Sequence, residues 1–383
     1  MQNKKYRDAH QRDRRIYFRN YREEHKERKK NFIIGPFVDY SKNPILSPGK
    51  GFTSKGIYNP TVIKEGKNFF MLFRAVAEDN LSGRIGVAKS SDGIHFSLHP
   101  EPIIEPSADF DKFGCEDPRV VKFGKTYFLT YVGKNGRYNE SNICLATSDD
   151  LLHWEKHGTI LQPKKGRWNS GQIKAGAILP EKINETYIMY FMGEEKPWKT
   201  AIGIAYSKDL FHWYEPQNEP VVVPRKGYFD SQGVEPGPNP ILLKEGILFI
   251  YNGWGKDKIY KPGGILFSVD EPAKIIKRTD RPLLVPTRNY GKEFNVANHT
   301  VAEGLITIGN KWLLYYGAAD RLVCLAIGAK EPVIASRMPK FEEKGEMMKY
   351  PRQTKQFGYP PEIYHFTGEY SEQIQGYYKA DRN

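Results

Sequence analysis

The chain of 383 residues has only three cysteines, Cys115, Cys144 and Cys324, too scattered for a disulfide framework or a zinc set. No run approaches the roughly 18 apolar residues of a membrane span. The opening MQNKKYRDAHQRDRRIYFRN lacks the apolar stretch of a secretory signal. Nine histidines are dispersed, with no pair at metal-ligand spacing. There is no Gly-Xaa-Ser-Xaa-Gly elbow, no His-Glu-Xaa-Xaa-His and no glycine loop ending in Lys-Ser/Thr to cradle phosphates. These absences set the expectation of a cytoplasmic, soluble, globular protein without cofactor or metal. They remove serine-elbow, zincin and P-loop chemistry from consideration.

The remaining composition supports a sizeable core: 39% of residues are hydrophobic, 13% are aromatic, and the mean hydropathy is -0.62. The length suits one large all-β barrel or propeller as well as two smaller domains. The net charge of +13 is unevenly spread, because residues 1–30 hold 12 basic and 5 acidic side chains and supply +7 of it. A basic arm without stacking motifs reads as a solvated helix or an oligomer contact, so no nucleic-acid partner is expected.

From residue 58 the sequence repeats itself. NPTVIKEGKNFFMLFRAV from Asn59, EDPRVVKFGKTYFLTYVG from Glu116, AGAILPEKINETYIMYFMGE from Ala175, GPNPILLKEGILFIYNGW from Gly237 and AEGLITIGNKWLLYYGAAD from Ala302 share one plan. Each has an apolar strand, a polar turn and an aromatic-rich strand. The turn residues Gly66, Gly124, Asn184, Gly246 and Gly309 recur about every 60 residues, the pattern of β-hairpins. Second hairpins follow in RIGVAKSSDGIHF, NICLATSDDLLHW and AIGIAYSKDLFHW, with a looser copy in GGILFSVDEPAKIIKR. Their Ser-Asp pairs read as tight turns. Five copies of a unit that cannot bury both faces alone predict a five-bladed β-propeller. The predicted organisation is a charged N-terminal helical arm over residues 1–35, the propeller over 36–335, and an irregular C-terminal extension over 336–383. The extension is expected to pack on the propeller or on a neighbouring subunit of a homo-oligomer.

Polar residues stand where the inner strands begin: Asn59, the run Glu116-Asp117-Pro118-Arg119, Lys174, Glu235 and Glu303. Unpaired buried charge is costly, and several carboxylates converging with cations on one axis would push their pKa values apart. A carboxylate pair across a funnel suits glycoside cleavage, where an acid serves the leaving oxygen and, in an inverting hydrolase, a second carboxylate activates water.

The runs YNPTVI, LFRA (Leu72–Ala75), RIGVAKSSDGIHF, GCEDPRV (Gly114–Val120), ILPEKI (Ile178–Ile183) and YYGAAD (Tyr315–Asp320), in this order over about residues 40 to 330, resemble glycoside hydrolase family 130, the β-mannoside phosphorylases and β-mannosidases. The resemblance implies a five-bladed propeller and inverting attack on a non-reducing-end β-linked mannose. It implies that Asp117 is the proton donor, acting in the phosphorylases through a sugar hydroxyl. Asn59 and Arg74 fall at sugar- or phosphate-contacting positions and Asp320 at the position gripping mannose hydroxyls. Arg119 and Lys174 stand where cations of the site are expected.

Two departures from the phosphorylase pattern bear on the reaction. The fourth blade opens with FDSQGVEPGPNP, placing Glu235 where a phosphate-holding lysine is expected, and the fifth reads NHTVAEGL, with Glu303 in a normally uncharged stretch. A like charge at 4 Å costs about 4 kcal/mol at an effective dielectric near 20, which disfavours a phosphate dianion, whereas a glutamate is what a water nucleophile needs as general base. The expected activity is therefore inverting, exo-acting hydrolysis of β-linked mannosides such as β-1,2-mannobiose or short oligosaccharides, with Asp117 as acid and Glu235 or Glu303 as base. The alternative is a phosphorylase with inorganic phosphate as co-substrate, held by Arg74, Arg84, Lys174 and His299. A lesser alternative is a sugar-binding propeller without turnover. The expected partner is a small oligosaccharide.

Overall fold

The computed structural model describes residues 34–79, 81–136, 140–286 and 288–330. The expected N-terminal helical arm and C-terminal extension lie outside these residues, apart from the arm's last two positions. The described chain opens with β1 (Phe37–Asp39) and then builds antiparallel sheets in sequence. Blade one is β2 (Gly56–Glu65), β3 (Asn68–Val76), β4 (Arg84–Ser90) and β5 (Ser97–Leu98), and blade two is β6 (Gly114–Phe123), β7 (Thr126–Lys134), β8 (Ser141–Ser148) and β9 (Glu155–Leu161). Blade three is β10 (Gln172–Ile178), β11 (Tyr187–Lys196), β12 (Lys199–Ser207) and β13 (Trp213–Tyr214). Blade four has its inner strand in two pieces, β14 (Gly233–Pro236) and β15 (Ile241–Leu243), followed by β16 (Gly246–Trp254), β17 (Lys261–Phe267) and β18 (Ile275–Arg278). A short helix α1 (Tyr290–Phe294) precedes blade five, which is β19 (Thr300–Ile308), β20 (Lys311–Ala318) and β21 (Leu322–Ala329). Five sheets of this kind make a five-bladed β-propeller.

The fifth blade is completed from the other end of the chain. Strand β1 pairs antiparallel with β21, Phe37 facing Gly328 and Asp39 facing Ala326, so the outermost strand of the last blade is the first strand of the fold. The repeat pattern, which begins at residue 58, gave no sign of this closure.

The core is five apolar slabs, one between each pair of neighbouring blades. Leu72, Ile85 and Val87 of blade one meet Val120, Leu129 and Tyr131 of blade two, while Ile57, Met71 and Phe73 meet Leu313, Tyr315 and Leu325 across the closing junction. A blade has two apolar faces and covers neither by itself, which is why the repeat must close into a ring. The Ser-Asp turns are structural, as the sequence suggests. In the first, the Ser90 hydroxyl accepts from Gly93 N at 2.9 Å and Asp92 accepts from the amides of Ile94 and His95. The Asp150 and Asp209 turns repeat the arrangement.

Candidate active site

Every inner strand is interrupted near one register. The ladder slips between Tyr58 and Thr61, Glu116 and Arg119, Lys174 and Ala177, and Ala302 and Gly304, while blade four breaks between β14 and β15. Bulges of this kind re-aim side chains beside active sites. Asn59, Asp117 and Ala175 occupy the bulges with φ of 51, 48 and 51°. Asn and Asp tolerate this left-handed conformation better than most residues, and the prolines after Asn59 and Asp117 cannot donate to the ladder at the break. One local device therefore turns polar residues from separate blades toward the same axis.

Two ion-paired groups fill that axis. In the first, Arg74 on β3 donates from Nη2 to Glu116 Oε1 at 3.0 Å and to Ser82 O at 2.7 Å, and its Nη1 stands 3.6 Å from Asp117 Oδ1. Its guanidinium lies 5.1 Å from the Tyr58 ring centroid. Lys174 Nζ approaches Glu116 Oε2 at 3.5 Å. Burial alone would raise the Glu116 pKa, but Arg74 and Lys174 outweigh it and hold the carboxyl at about 2. For Asp117 the balance reverses: burial, with the Glu116 charge, raises its pKa against the pull of Arg74 and Lys174. Adjacent carboxyls in one strand are thus pushed in opposite directions, Glu116 toward its anion and Asp117 toward its protonated form.

In the second group, Arg119 is fully buried and crosses from blade two to blades four and five. Its Nε donates to Gly237 O at 2.7 Å, Nη1 to Pro118 O at 3.0 Å, and Nη2 to Glu303 Oε1 at 2.7 Å. Glu303 is 1% exposed, and its other oxygen, Oε2, has no hydrogen-bond partner among the described residues. Burial pushes its carboxyl up to about 7, with Arg119 opposing and Asp117 reinforcing the shift. Glu235, on β14 opposite Asn252, is raised well above the usual carboxylate range by burial and by the charges of Asp117 and Glu303. Asp117, Glu235 and Glu303 are therefore close enough for the Asp117 charge to act on both glutamates.

The remaining candidate residues separate clearly. Asn59 is buried beside this group with its Oδ1 unpartnered among the described residues. Asp320, exposed on the β20–β21 turn at φ 49°, lies in the field of Tyr58 and Arg74. Arg119, expected to touch substrate, instead braces Glu303 and the blade-four break. Arg84 leaves the phosphate set altogether, since it binds Asp79 at 2.8 Å and Glu105 at 3.0 Å toward the side of blade one. His299 sits behind Tyr260, its ring meeting that tyrosine edge-on at 5.1 Å, and accepts from Tyr260 N on Nδ1 at 3.4 Å.

Sequence reading passed over Tyr58, Tyr260 and Lys134. Burial raises Tyr58 to about 12, with Arg74 opposing, and lowers Lys134, helped by Lys174. Tyr58 shares its blade register with Glu116 and Lys174, so an alignment of the repeats could have found it. Lys134 ends β7, the second strand of blade two, and Tyr260 immediately precedes β17, so neither falls at an inner-strand interruption.

Comparison with known proteins places the chain in a family. The profile of a family described as beta-1,4-mannooligosaccharide phosphorylase, glycoside hydrolase family 130, matches residues 24–336. The chain belongs to glycoside hydrolase family 130. Within the family, a 1,2-beta-oligomannan phosphorylase of Thermoanaerobacter sp. is 30% identical over 296 residues, covering 75% of this chain and 95% of the relative. The structure of beta-1,2-mannobiose phosphorylase from Listeria innocua with beta-1,2-mannobiose superposes with a TM-score of 0.68 at 25% identity, over 77% of this chain and 97% of that one. A structure from the family's glycoside hydrolases that target beta-1,2 mannosidic linkages in Candida mannan gives a TM-score of 0.69 at 30% identity, over 79% of this chain and 96% of that one. Like its family, this chain is a carbohydrate-active enzyme.

Proposed function

We propose that the chain is an inverting, exo-acting hydrolase of β-linked mannosides, β-1,2-mannobiose and short oligosaccharides among them. The observation that carries this reading is Glu303: buried, pinned by Arg119 through Oε1, and with Oε2 unpartnered among the described residues. A carboxylate in this state at about pH 7 is matched to taking a proton from water. In the proposed reaction water loses a proton to Glu303, with Glu235 beside it, as the oxygen forms a bond to the anomeric carbon. The glycosidic bond breaks as the leaving oxygen gains a proton originating from Asp117, and mannose departs with its anomeric configuration inverted. Asn59, Arg74, Lys174 and Asp320 are the groups proposed to hold the sugar.

The phosphorylase reading draws on the names of the relatives and on the site's cations. Against it, Arg74, Arg119 and Lys174 each already face a carboxylate, and an ionised Glu303 would oppose a dianion. Incubating β-1,2-mannobiose with the enzyme, with and without inorganic phosphate, separates the two. Hydrolysis yields free mannose at equal rates in both buffers. A strict phosphate requirement with release of mannose 1-phosphate would refute it.

A further inference from the structure

One wall of the mouth takes no part in the reaction above. It is built from the β11–β12 turn of blade three and the β16–β17 connection of blade four, neighbours around the ring. Trp198 caps the first turn with φ 72° and 43% of its surface exposed. Its backbone N–H donates to Glu194 Oε1 at 2.6 Å, and Glu194 also receives the Gln172 side-chain amide, so the strained turn is fixed from below. The Trp198 ring meets Trp254 edge-on at 6.0 Å between centroids, and Lys258 Nζ stands 4.6 Å from it. Trp254 is fully buried and packs on Tyr260 at 4.4 Å, yet its indole Nε1 has no hydrogen-bond acceptor among the described residues. Tyr260 in turn lies in the electrostatic field of Glu235, Asp320 and Asp117. A lone exposed tryptophan would call for no explanation. This one ends an aromatic ladder whose other end, Tyr260, lies in the field of the reacting carboxylates.

We propose that Trp198 is the outer stacking platform for the sugar units on the leaving-group side, supported from below by the buried Trp254, which itself packs on Tyr260. The preferred substrates are then mannooligosaccharides longer than the disaccharide. This rests on the exo-acting reading, in which every unit beyond the cleaved mannose lies on that side. The chemistry fits a pyranose chain, whose C–H faces are apolar and lie on exposed aromatic rings. A turn already held in place binds without the entropic cost of ordering it.

The test compares wild type with Trp198→Ala and Trp198→Tyr on β-1,2-mannobiose and β-1,2-mannotetraose, counting free mannose and mannose 1-phosphate together so that the identity of the nucleophile does not matter. The ratio of kcat/KM for tetraose over biose should fall about tenfold in W198A, mainly through KM, and recover most of the way in W198Y, the loss of one aromatic contact. A ratio within about twofold of wild type in W198A overturns the proposal. The binding arm is independent of turnover. In Asp117→Asn, calorimetric titration should show mannotetraose binding about tenfold more tightly than mannobiose, and adding W198A should abolish that preference. Equal binding of the two sugars, or a preference that survives W198A, overturns the platform, whereas length-dependent binding together with a wild-type enzyme that releases neither mannose nor mannose 1-phosphate refutes the hydrolase reading and leaves the platform standing.

Discussion

The raised carboxyl of Glu303 makes a quantitative prediction about rate and pH. A base that must be ionised, with its pKa at about 7, is only about 1% ionised two pH units lower. Hydrolysis at pH 5 should therefore run about 100-fold below its plateau. An ordinary glutamate, near 4.5, would be about three-quarters ionised at pH 5 and would lose less than twofold. The assay is mannose release from β-1,2-mannobiose in phosphate-free buffers from pH 4.5 to 9, reading kcat/KM so that the free enzyme's ionisations are reported. Arg119→Gln supplies the second arm. It removes the cation 2.7 Å from Glu303, which opposes the shift, so the acid limb should move upward by about one pH unit or more. The same change leaves a buried carboxyl without its partner and should cost about 3–5 kcal/mol of stability. Activity is therefore measured at a temperature where thermal melting shows the variant folded. A profile flat between pH 5 and 8, or a limb that R119Q leaves in place, would refute Glu303 as the base.

Two further outcomes follow from the same geometry. Asp117→Asn keeps the bulge but has no proton to give, so kcat should fall by about 10²–10⁴ while mannobiose still binds, checked by single-turnover kinetics beside calorimetry. Phe37→Ala empties a fully buried position on the closing strand. It should lower stability by about 3–5 kcal/mol in denaturant unfolding, and a loss under 1 kcal/mol would mean that β1 does not help close the ring.

The fold was legible because its information is local and repeated. Alternating strands around turn residues about every 60 positions identify hairpins wherever they fall, and five hairpin units leave few ways to bury their faces. The polar positions of the site were legible for a related reason, since Asn59, Asp117, Glu235 and Glu303 interrupt apolar strands at matching places. What each would do was not legible. Arg119 reads as one more cation for the substrate, and only the ring brings it to Glu303, 184 positions away in sequence, making it the brace of a carboxylate.

The closing strand, Tyr260 behind the carboxylates and the ladder out to Trp198 share that dependence on distant contacts. The sequence by itself determined the blades and which residues stand at their inner ends. The tertiary structure alone decided which charges neutralise each other and which stay unpartnered. Pairing and desolvation depend on distances of a few ångströms between blades, and no pattern along a single strand encodes them.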